Sequence, residues 1–444
     1  MKLWLRIDPG TRSHGQAVVG GSPLRALRLT AAGARRFRQW RDGGEVGDSK
    51  AERALAGTLI DAGIAHPDYG EAHLRPADVT IVVPTRDHPV AVPGAIVVDD
   101  GSRTPVPGAA IRHPVARGPA AARNAGWRRV RTELVAFLDA DTRPQPGWLD
   151  ALLPHFEDPA VLAVAPRIRS TPGDTTLARY ECAHSALDLG DAPAPVRPGG
   201  RITYVPTAAL VVRTSALRDV GGFDEALRFG EDVDFVWRLV RGGGRVRYEP
   251  RSEVLHAPRT TWRAWARQRF DYGTSAAPLA KRHGHRVIAP VRVSGWTALA
   301  WGLAALGRPR AGLAVALGSA ALLPRKLARV GVPARESLLL ALRGHAGAAG
   351  YLAEALIRTW GPAAVPLLLM GRRGRLVLAA ALLRYPREWA TARPAVDPVR
   401  WMLARTADDL AYGAGVWRGC VRERTVLPLV PSLSDWPGNH ARSR

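Results

Sequence analysis

The sequence contains few cysteines, lysines and methionines, and no long apolar run follows its first residues. Two cysteines in 444 residues, Cys182 and Cys420, exclude a disulfide framework and a cysteine-based zinc site. Because no secretory signal is visible, we expect a cytosolic, reducing location. Hydrophobic residues make up 46% and charged residues 23% of the chain. These values exclude a disordered or fibrous protein, and the length suggests about two to four domains.

Only four of the 63 basic residues are lysines, and the net charge is +24. The last segment, residues 285–444, carries 23 basic and 8 acidic residues, which is most of the excess. A basic chain of this kind is compatible with nucleic-acid binding. The arginine bias also fits GC-rich coding, and the motifs described below are acidic. We therefore expect no nucleic-acid partner.

Composition divides the chain into three predicted domains. Residues 1–78 alternate short strand-like runs with two helical stretches, the first capped by Thr30, which predicts a small winged-helix-like domain. Residues 79–284 read as α/β, with apolar strands at 79–84, 95–98, 134–138 and 160–166 and a helix at 119–131. This order predicts a mostly parallel sheet with ligands at the carboxyl ends of its strands.

Residues 285–444 form an arginine-rich, apolar helical region. Each apolar stretch is shorter than the ~20 residues of a spanning helix. A continuous membrane span over 296–323 would place Arg308 and Arg310 near its centre. The insertion of each arginine there would cost about 2.5–3.5 kcal/mol. We therefore favour amphipathic helices or a helical hairpin on a membrane surface, with a helical domain in water as the alternative.

Acidic pairs follow two of the predicted strands. Asp139 and Asp141 follow the strand at 134–138, where alternate residues share a face and two carboxylates can hold one divalent cation. His256 ends a later strand and could complete the metal shell or contact a diphosphate; a packed core histidine is the alternative. Asp99 and Asp100 suit the N–H of uracil or ribose hydroxyls, or form a plain turn.

Three further features are candidates for chemistry. Arg123, on the small-residue helix, could contact a base or diphosphate. Asp232, beside Glu231 before an apolar helix, could be a general base, although acids at a helix start are also stabilised by the helix dipole. An aromatic and basic face that could bind a sugar or phosphate, or pack in a core, comprises Trp262, Trp265, Arg269 and Tyr272.

The order of these motifs resembles the family 2 glycosyltransferases of GT-A fold across residues 79–284. The motifs are Asp-Asp-Gly-Ser (99–102), Arg123-Asn124, Asp-Ala-Asp (139–141), Gly-Gly-Phe-Asp-Glu (221–225), Glu231-Asp232 and Gln268-Arg269. The resemblance implies an inverting transfer from a nucleotide-sugar donor with Mg²⁺ or Mn²⁺. It implies a base role for Asp232 aided by Glu231, and a metal role for Asp139 and Asp141. Residues expected to bind the donor are Pro84, Thr85, Asp99, Asp100, Arg123, Asp139 and Ala140.

The acceptor and diphosphate helix of that family corresponds only loosely to Trp262, Trp265, Gln268 and Arg269. Because Gln268 and Arg269 are adjacent, the Gln-x-x-Arg-Trp motif of processive synthases is absent. This departure argues against long-chain processive synthesis.

The whole chain is also similar to the mycofactocin-biosynthesis glycosyltransferases. The segments that carry this similarity include Gly20-Gly21-Ser22-Pro23, Ala65-His66-Pro67, Ala165-Pro166-Arg167 and Lys281-Arg282-His283-Gly284. It implies a peptide-derived cofactor precursor as acceptor, UDP-glucose as donor, and a peptide-binding role for residues 1–78. The alternatives are a lipid or cell-wall polysaccharide acceptor, and a catalytically dead peptide-binding scaffold. Peripheral contact with the inner face of the cell membrane is a further expectation.

Overall fold

The computed structural model describes residues 2–70 and 72–434, so the last ten residues of the predicted 285–444 segment lie outside the description. Contacts divide the chain into two compact units. The first comprises Met1–Gly173 with His184–Pro258, and the second comprises Asp174–Ala183 with Arg259–Arg444. The predicted domain boundaries at residues 78 and 284 stay predictions.

The N-terminal part of the first unit is a small α+β structure. Its elements are β1 (Leu3–Ile7), β2 (Arg12–His14), β3 (Ala17–Gly20), β4 (Arg25–Arg28), α1 (Ala31–Arg41), α2 (Lys50–Ala62) and β5 (Ala65–Tyr69). Strands β2, β3 and β4 form an antiparallel sheet, and β1 pairs with β5. The hydroxyl of Thr30 accepts a hydrogen bond from Gly33 N, which confirms the predicted N-cap. Phe37, Trp40 and Leu59 lie in the core of this part.

A nine-stranded sheet forms the rest of the first unit. From residue 79, the chain runs through β6 (Val79–Thr85), β7 (Ile96–Asp100), β8 (Ile111–His113), α3 (Pro119–Trp127), β9 (Leu134–Leu138), β10 (Thr142–Pro144), β11 (Val161–Ser170), α4 (Thr176–Ala183, in the second unit), β12 (Ala194–Pro195), β13 (Ala209–Arg213), α5 (Thr214–Val220), α6 (Glu231–Arg241) and β14 (Arg245–His256). The strand order is β10-β14-β11-β13-β9-β6-β7-β8, with β12 paired to β14.

The sheet is mixed, with most of its strands running in the same direction and the antiparallel β13 near its centre. Strands β9, β6, β7 and β8 are parallel neighbours, as are β11 and β14, whereas β13 runs antiparallel to β9 and β11. This arrangement confirms the predicted α/β fold class of GT-A type with its mostly parallel sheet. The predicted strands at 79–84, 95–98, 134–138 and 160–166 correspond to β6, β7, β9 and β11.

Helix α3 is shorter than predicted, since it ends at Trp127 rather than at residue 131. It packs very closely on the sheet: a Cβ at Gly126 would lie 2.3 Å from Val82 Cγ1 on β6. This contact confirms that the small residues of the helix permit close helix–sheet packing. The sheet therefore places the start of α3 beside the strand ends.

The second unit is helical, as predicted for the C-terminal region. Besides α4, its elements are α7 (Trp262–Thr274), α8 (Ala276–His283), α9 (His285–Ile288), β15 (Arg292–Ser294), α10 (Gly295–Ala305), α11 (Pro309–Ala328), α12 (Ala334–Glu354), α13 (Gly361–Leu369), α14 (Arg372–Leu382), α15 (Arg384–Ala392), α16 (Pro398–Glu423) and β16 (Ser432–Ser434). Helices α7 and α16 approach each other closely at glycines. A Cβ at Gly415 on α16 would lie 2.0 Å from Phe270 O on α7, so a larger residue would not fit there. Among the described residues, α11 is long and apolar enough to cross a membrane, and α12 through Thr359 with α13 passes the same test as a pair bent by 98°.

Candidate functional site

The carboxyl ends of β7, β6 and β9 meet at one edge of the sheet. Thr85, the last residue of β6, is in register with Asp99 of β7, and Asp139 directly follows β9 on the other side of β6. The structure therefore brings together the predicted donor-binding residues Pro84, Thr85, Asp99 and Asp139. Parallel strands commonly present a ligand crevice at this edge.

Asp99 is fully buried and bound on both carboxylate oxygens. Its Oδ1 accepts from Ser102 N at 2.9 Å, and its Oδ2 accepts from Val106 N at 3.2 Å and from Arg112. Burial alone would raise the pKa of Asp99, but the hydrogen bonds and the Arg112 charge lower it to about 2. Asp99 is therefore a carboxylate that also organises the turn after β7.

Asp100 holds the segment that leads into α3. Its Oδ1 accepts from Arg117 N at 2.9 Å and its Oδ2 from Gly118 N at 2.7 Å. The turn that follows Asp100 requires glycine at position 101. Gly101 has φ +71°, and a Cβ there would lie 2.4 Å from Ala116 N. Asp100 thus positions the first turn of the helix that carries Arg123.

Arg123 connects two of the acidic motifs. The residue is 4% exposed, and its guanidinium donates from Nη1 to Glu231 Oε1 and from Nη2 to Asp139 Oδ1, both at 2.8 Å. Its Cζ also lies 5.7 Å from the centre of the Phe223 ring. A buried arginine between two carboxylates compensates charges that would otherwise repel each other. Arg123 is therefore inside the site, rather than a solvent-facing helix residue.

Asn124, to which sequence reasoning assigned no role, attaches the Gly-Gly-Phe-Asp-Glu segment to α3. Its Nδ2 donates to Phe223 O at 2.8 Å and to Glu225 Oε1 at 3.0 Å. Its Oδ1 accepts from Phe223 N at 2.9 Å and from Trp127 Nε1 at 3.0 Å. Gly222 has φ +72°, and a Cβ there would lie 2.5 Å from Asn124 Oδ1. The second glycine of the segment is therefore required by this close approach.

Arg238 holds the same segment from the other side, and sequence reasoning missed it. It donates to Val220 O and Gly222 O, both at 2.7 Å, and its Nε pairs with Asp234 at 2.8 Å. The i, i+4 spacing of Asp234 and Arg238 on α6 was a readable signal of this ion pair. The backbone carbonyl partners had no signal in the sequence, because they depend on how the 220–222 loop returns to α6.

Asp232 begins α6 beside the Arg123 cluster. Its side chain is partly buried, and its Oδ1 accepts from Val233 N at 2.8 Å. Burial, together with the neighbouring Glu231 carboxylate, raises the pKa of Asp232 to about 7, while Arg123 acts in the opposite direction. A carboxylate with a pKa near neutrality suits proton transfer at physiological pH.

The two carboxylates of the Asp-Ala-Asp motif have different partners. Strand β9 ends at Leu138, and Thr142 N donates to Asp139 O across a turn, so the strand alternation used in the prediction does not extend through the motif. Asp139 faces Arg123, whereas Asp141 Oδ1 lies 3.4 Å from His256 Nε2. His256 ends β14 and is in register with Thr142 of β10, which places it beside Asp141.

Asp141 and His256 are a chemically suitable pair for a divalent cation. Adjacent ligands of an octahedral ion with bonds of about 2.1 Å lie roughly 3 Å apart. Within residues 2–70 and 72–434, no group of three or more His, Cys, Asp or Glu side chains is clustered as a metal site. A two-residue set still fits Mg²⁺ or Mn²⁺, because such ions usually complete their shell with water and substrate phosphates.

The predicted aromatic and basic face lies on α7 in the second unit. Trp265 and Arg269 are buried there: Trp265 Nε1 donates to Glu181 Oε1 at 2.8 Å, and Arg269 pairs with Glu181 and with Asp408 at 3.3 Å. Trp262, at 44% exposure, and Gln268 remain accessible to solvent. Of the four residues predicted for the acceptor and diphosphate helix, Trp265 and Arg269 therefore take part in the packing of the helical unit.

Comparison with known proteins identifies relatives over nearly the whole chain. A family model described as glycosyl transferase family group 2 matches residues 134–345. A pre-mycofactocin glycosyltransferase of Mycobacterium tuberculosis (strain CDC 1551 / Oshkosh) is 43% identical over 453 aligned positions, covering 94% of this chain and 95% of that protein.

More distant relatives cover less of the chain. A human polypeptide N-acetylgalactosaminyltransferase 9 is 27% identical over 195 residues, which is 40% of this chain and 30% of that protein. Among solved structures, a mannosyltransferase from Pyrobaculum calidifontis in complex with GDP-Man and Mn²⁺ superposes with a TM-score of 0.34 at 17% identity, covering 71% of this chain and 90% of that one.

Proposed function

The chain belongs to the family 2 glycosyltransferases, and on this basis we propose that it transfers glucose from UDP-glucose onto a peptide-derived mycofactocin precursor. The observation that supports this proposal most strongly is the 43% identity to a pre-mycofactocin glycosyltransferase across 94% of the chain. The acidic site organised by Arg123 supplies residues suited to such a transfer.

In the proposed reaction, Asp232 acts as the general base. Its carboxylate takes the proton from an acceptor hydroxyl while that oxygen forms a bond to the anomeric carbon of the donor sugar. The bond from that carbon to the diphosphate oxygen breaks, and the nucleoside diphosphate leaves with the electron pair. Attack opposite the leaving group inverts the anomeric centre. The pKa of about 7 lets Asp232 both accept the proton and be ionised at neutral pH.

Donor binding is proposed at the edge formed by β6, β7 and β9. Pro84, Thr85, Asp99 and Asp100 would surround the nucleoside, and Asp139 and Ala140 would lie beside its sugar and phosphates. Arg123 would orient Asp139 and Glu231 through its two hydrogen bonds at 2.8 Å. Glu231 in turn keeps the pKa of Asp232 raised.

We propose that Mg²⁺ or Mn²⁺ is held by Asp141 and His256, with Asp139 nearby. When bound, the ion would neutralise charge on the departing diphosphate. The role of the protein is to keep Asp141 and His256 adjacent through the pairing of β10 with β14. Arg123 occupies one oxygen of Asp139, so Asp139 would act mainly through this arginine.

Removal of either proposed metal ligand is expected to weaken metal-dependent activity. Asp141→Asn or His256→Ala should raise the Mn²⁺ concentration for half-maximal transfer by at least about tenfold. Even the mutation of a residue that only hydrogen-bonds to a metal ligand typically lowers metal affinity by this factor. The measurement is a Mn²⁺ titration of transfer, with EDTA as the zero point. Asp150→Asn, at an exposed carboxylate, serves as the control. Full activity in EDTA would contradict the metal assignment.

The acceptor is tested directly by incubating the full chain with UDP-glucose and the precursor, followed by mass spectrometry. We expect a mass increase of one or more hexoses, and none with GDP-mannose as donor. Absence of any addition by the wild-type protein would refute the proposed acceptor. If no hexose is added, a thermal shift with Mn²⁺ and UDP, the nucleotide part of the donor, separates two explanations. Stabilisation by UDP would indicate a wrong acceptor, and no stabilisation would indicate a catalytically dead scaffold.

A lipid or cell-wall polysaccharide acceptor is the second candidate. The observation that favours it is the exposed apolar surface of the helical unit, which includes Leu313, Leu317 and Leu367. Parallel assays with membrane extracts as acceptor separate the two candidates. We place the enzyme in the cytoplasm at the inner face of the cell membrane, with peripheral contact through the basic residues of 285–444.

A further inference from the structure

Helices α10, α11 and α12 have the reverse of the usual polarity of a helix packed in water. Their buried residues are all small: Gly295, Thr297, Ala300, Gly312, Ala320, Ser337 and Ala348. None of their large apolar residues is buried, and eight of them are exposed: Trp296, Leu299, Trp301, Leu313, Leu317, Leu322, Leu338 and Tyr351. A helix that packs in water normally buries its leucines and exposes its small or polar residues.

The same chain provides the contrast in α6. There the large apolar residues Phe235, Trp237 and Leu239 are buried, and the buried Glu231 and Asp234 are paired with Arg123 and Arg238. The reversed arrangement is therefore a property of residues 295–351, not of the composition of the whole chain. Exposed apolar surface of this extent needs an apolar partner.

The contacts among α10, α11 and α12 are those expected of helices that associate inside lipid. A Cβ at Gly312 would lie 2.4 Å from Ala300 O, so the backbones of α10 and α11 approach closely. Without a hydrophobic driving force between helices in lipid, close packing of small residues and interhelical hydrogen bonds stabilise their association.

One histidine supplies those hydrogen bonds. His345 on α12 pairs through Nδ1 with Thr297 Oγ1 at 3.0 Å and through Nε2 with Ser319 Oγ at 2.9 Å. Trp301 Nε1 donates to His345 O at 2.8 Å. These hydrogen bonds join the three helices and satisfy the side chains of Thr297, Ser319 and His345 internally, as an apolar surrounding requires.

Arginines border the exposed leucines of α11. Arg308 and Arg310 precede the apolar part of α11, and Arg325 follows it; all three are exposed. Long basic side chains in this position reach the headgroups while their helix lies among acyl chains. Basic residues near an anionic membrane add an electrostatic attraction to the insertion of the apolar side chains.

Helix α11 is long and apolar enough to cross a membrane, whereas α10, which packs against it, is too short. Helix α10 has 11 residues, which at 1.5 Å per residue is about 16 Å, roughly half of a hydrocarbon core. Arg343 lies within α12. We propose that helices α10, α11 and α12 insert their exposed apolar side chains, which include Leu313 and Leu317, into the near leaflet of an anionic bilayer. This inference extends the peripheral contact proposed above and does not depend on the transfer reaction.

The test is flotation of the full chain with vesicles of equal parts phosphatidylcholine and phosphatidylglycerol. We expect the wild type to float and to remain bound in high salt, because salt screens the charges but not the buried leucines. Leu313→Glu with Leu317→Glu, at positions 59% and 49% exposed, should reduce the vesicle-bound fraction at least tenfold. Leu403→Glu with Leu410→Glu, on the exposed face of α16, is the matched control and should float like the wild type.

Three results would overturn the proposal. The first is wild-type protein that stays at the bottom of the gradient with these vesicles. The second is complete release in high salt, which would leave only electrostatic contact. The third is a vesicle-free wild type that sediments as a multimer dissociated by the Leu313 and Leu317 changes, which would assign the face to a second copy of the chain. Unchanged circular dichroism of the double variant shows that a loss of binding is not a loss of fold.

Discussion

Asp232→Asn is expected to lower kcat for hexose transfer by about 10²–10⁴-fold, the usual contribution of general acid–base catalysis. The amide has nearly the same shape as the carboxyl group but cannot take the proton from the acceptor hydroxyl. The KM for the donor should change little, because Asp232 is assigned to the acceptor. Asp219→Asn, at an exposed carboxylate at the end of α5, is the matched control. Full turnover by Asp232→Asn would end the base assignment.

The pH profile gives a second view of the same residue. Transfer requires ionised Asp232, so activity should rise with pH and level off above about 7. Arg123 lowers the pKa of Asp232, so Arg123→Gln should move this rise to higher pH. Arg123→Lys keeps the positive charge and should move it less. An unchanged profile in Arg123→Gln would show that another group limits the reaction.

The contribution of Asp232 to stability should fall as pH rises, whereas its contribution to activity should rise. The pKa of Asp232 is raised in the folded state, so this carboxyl group destabilises the fold as pH rises from about 4, with the full cost present above about 7. Asp232→Asn should therefore melt at a higher temperature than the wild type at pH 8, and the difference should shrink towards pH 4. A variant that loses both turnover and stability would indicate a structural role instead.

Asn124→Leu is expected to destabilise the first unit by about 3–5 kcal/mol, the effect of leaving several buried polar groups unpaired. Leucine has a similar volume but leaves Phe223 N, Phe223 O and Trp127 Nε1 without their present partner. Thermal unfolding measured by calorimetry should show the loss as a transition at clearly lower temperature.

Trp127→Phe is the graded control for Asn124. It removes one of the hydrogen bonds to Asn124 and keeps those to Phe223, so we expect a loss of about 1 kcal/mol. Gly222→Ala should be destabilising as well, because its Cβ would approach Asn124 Oδ1 to 2.5 Å. Equal stability of Asn124→Leu and the wild type would show that the 220–225 segment is not held by this residue.

The predictions that succeeded depended on local pattern. Strands β6, β7 and β9 were predictable because each is a short apolar run followed by turn or acidic residues, and the Thr30 cap has a local signature. The order of the acidic motifs was enough to predict the family. The order of motifs can be read directly from the sequence, whereas the sequence does not show which partner each side chain contacts.

The sequence alone determined which residues stand at the strand ends, the α/β class, and the basic, apolar character of the last segment. Only the tertiary structure decided that Arg123 joins Glu231, 108 residues away, to Asp139, and that Asp141 and not Asp139 faces His256. It also decided that Arg269 pairs inside the helical unit and that Leu313, Leu317 and Leu322 of α11 are exposed. The physical reason is that periodicity and capping depend on neighbours along the chain, while charge pairing and burial depend on which distant elements the fold brings together.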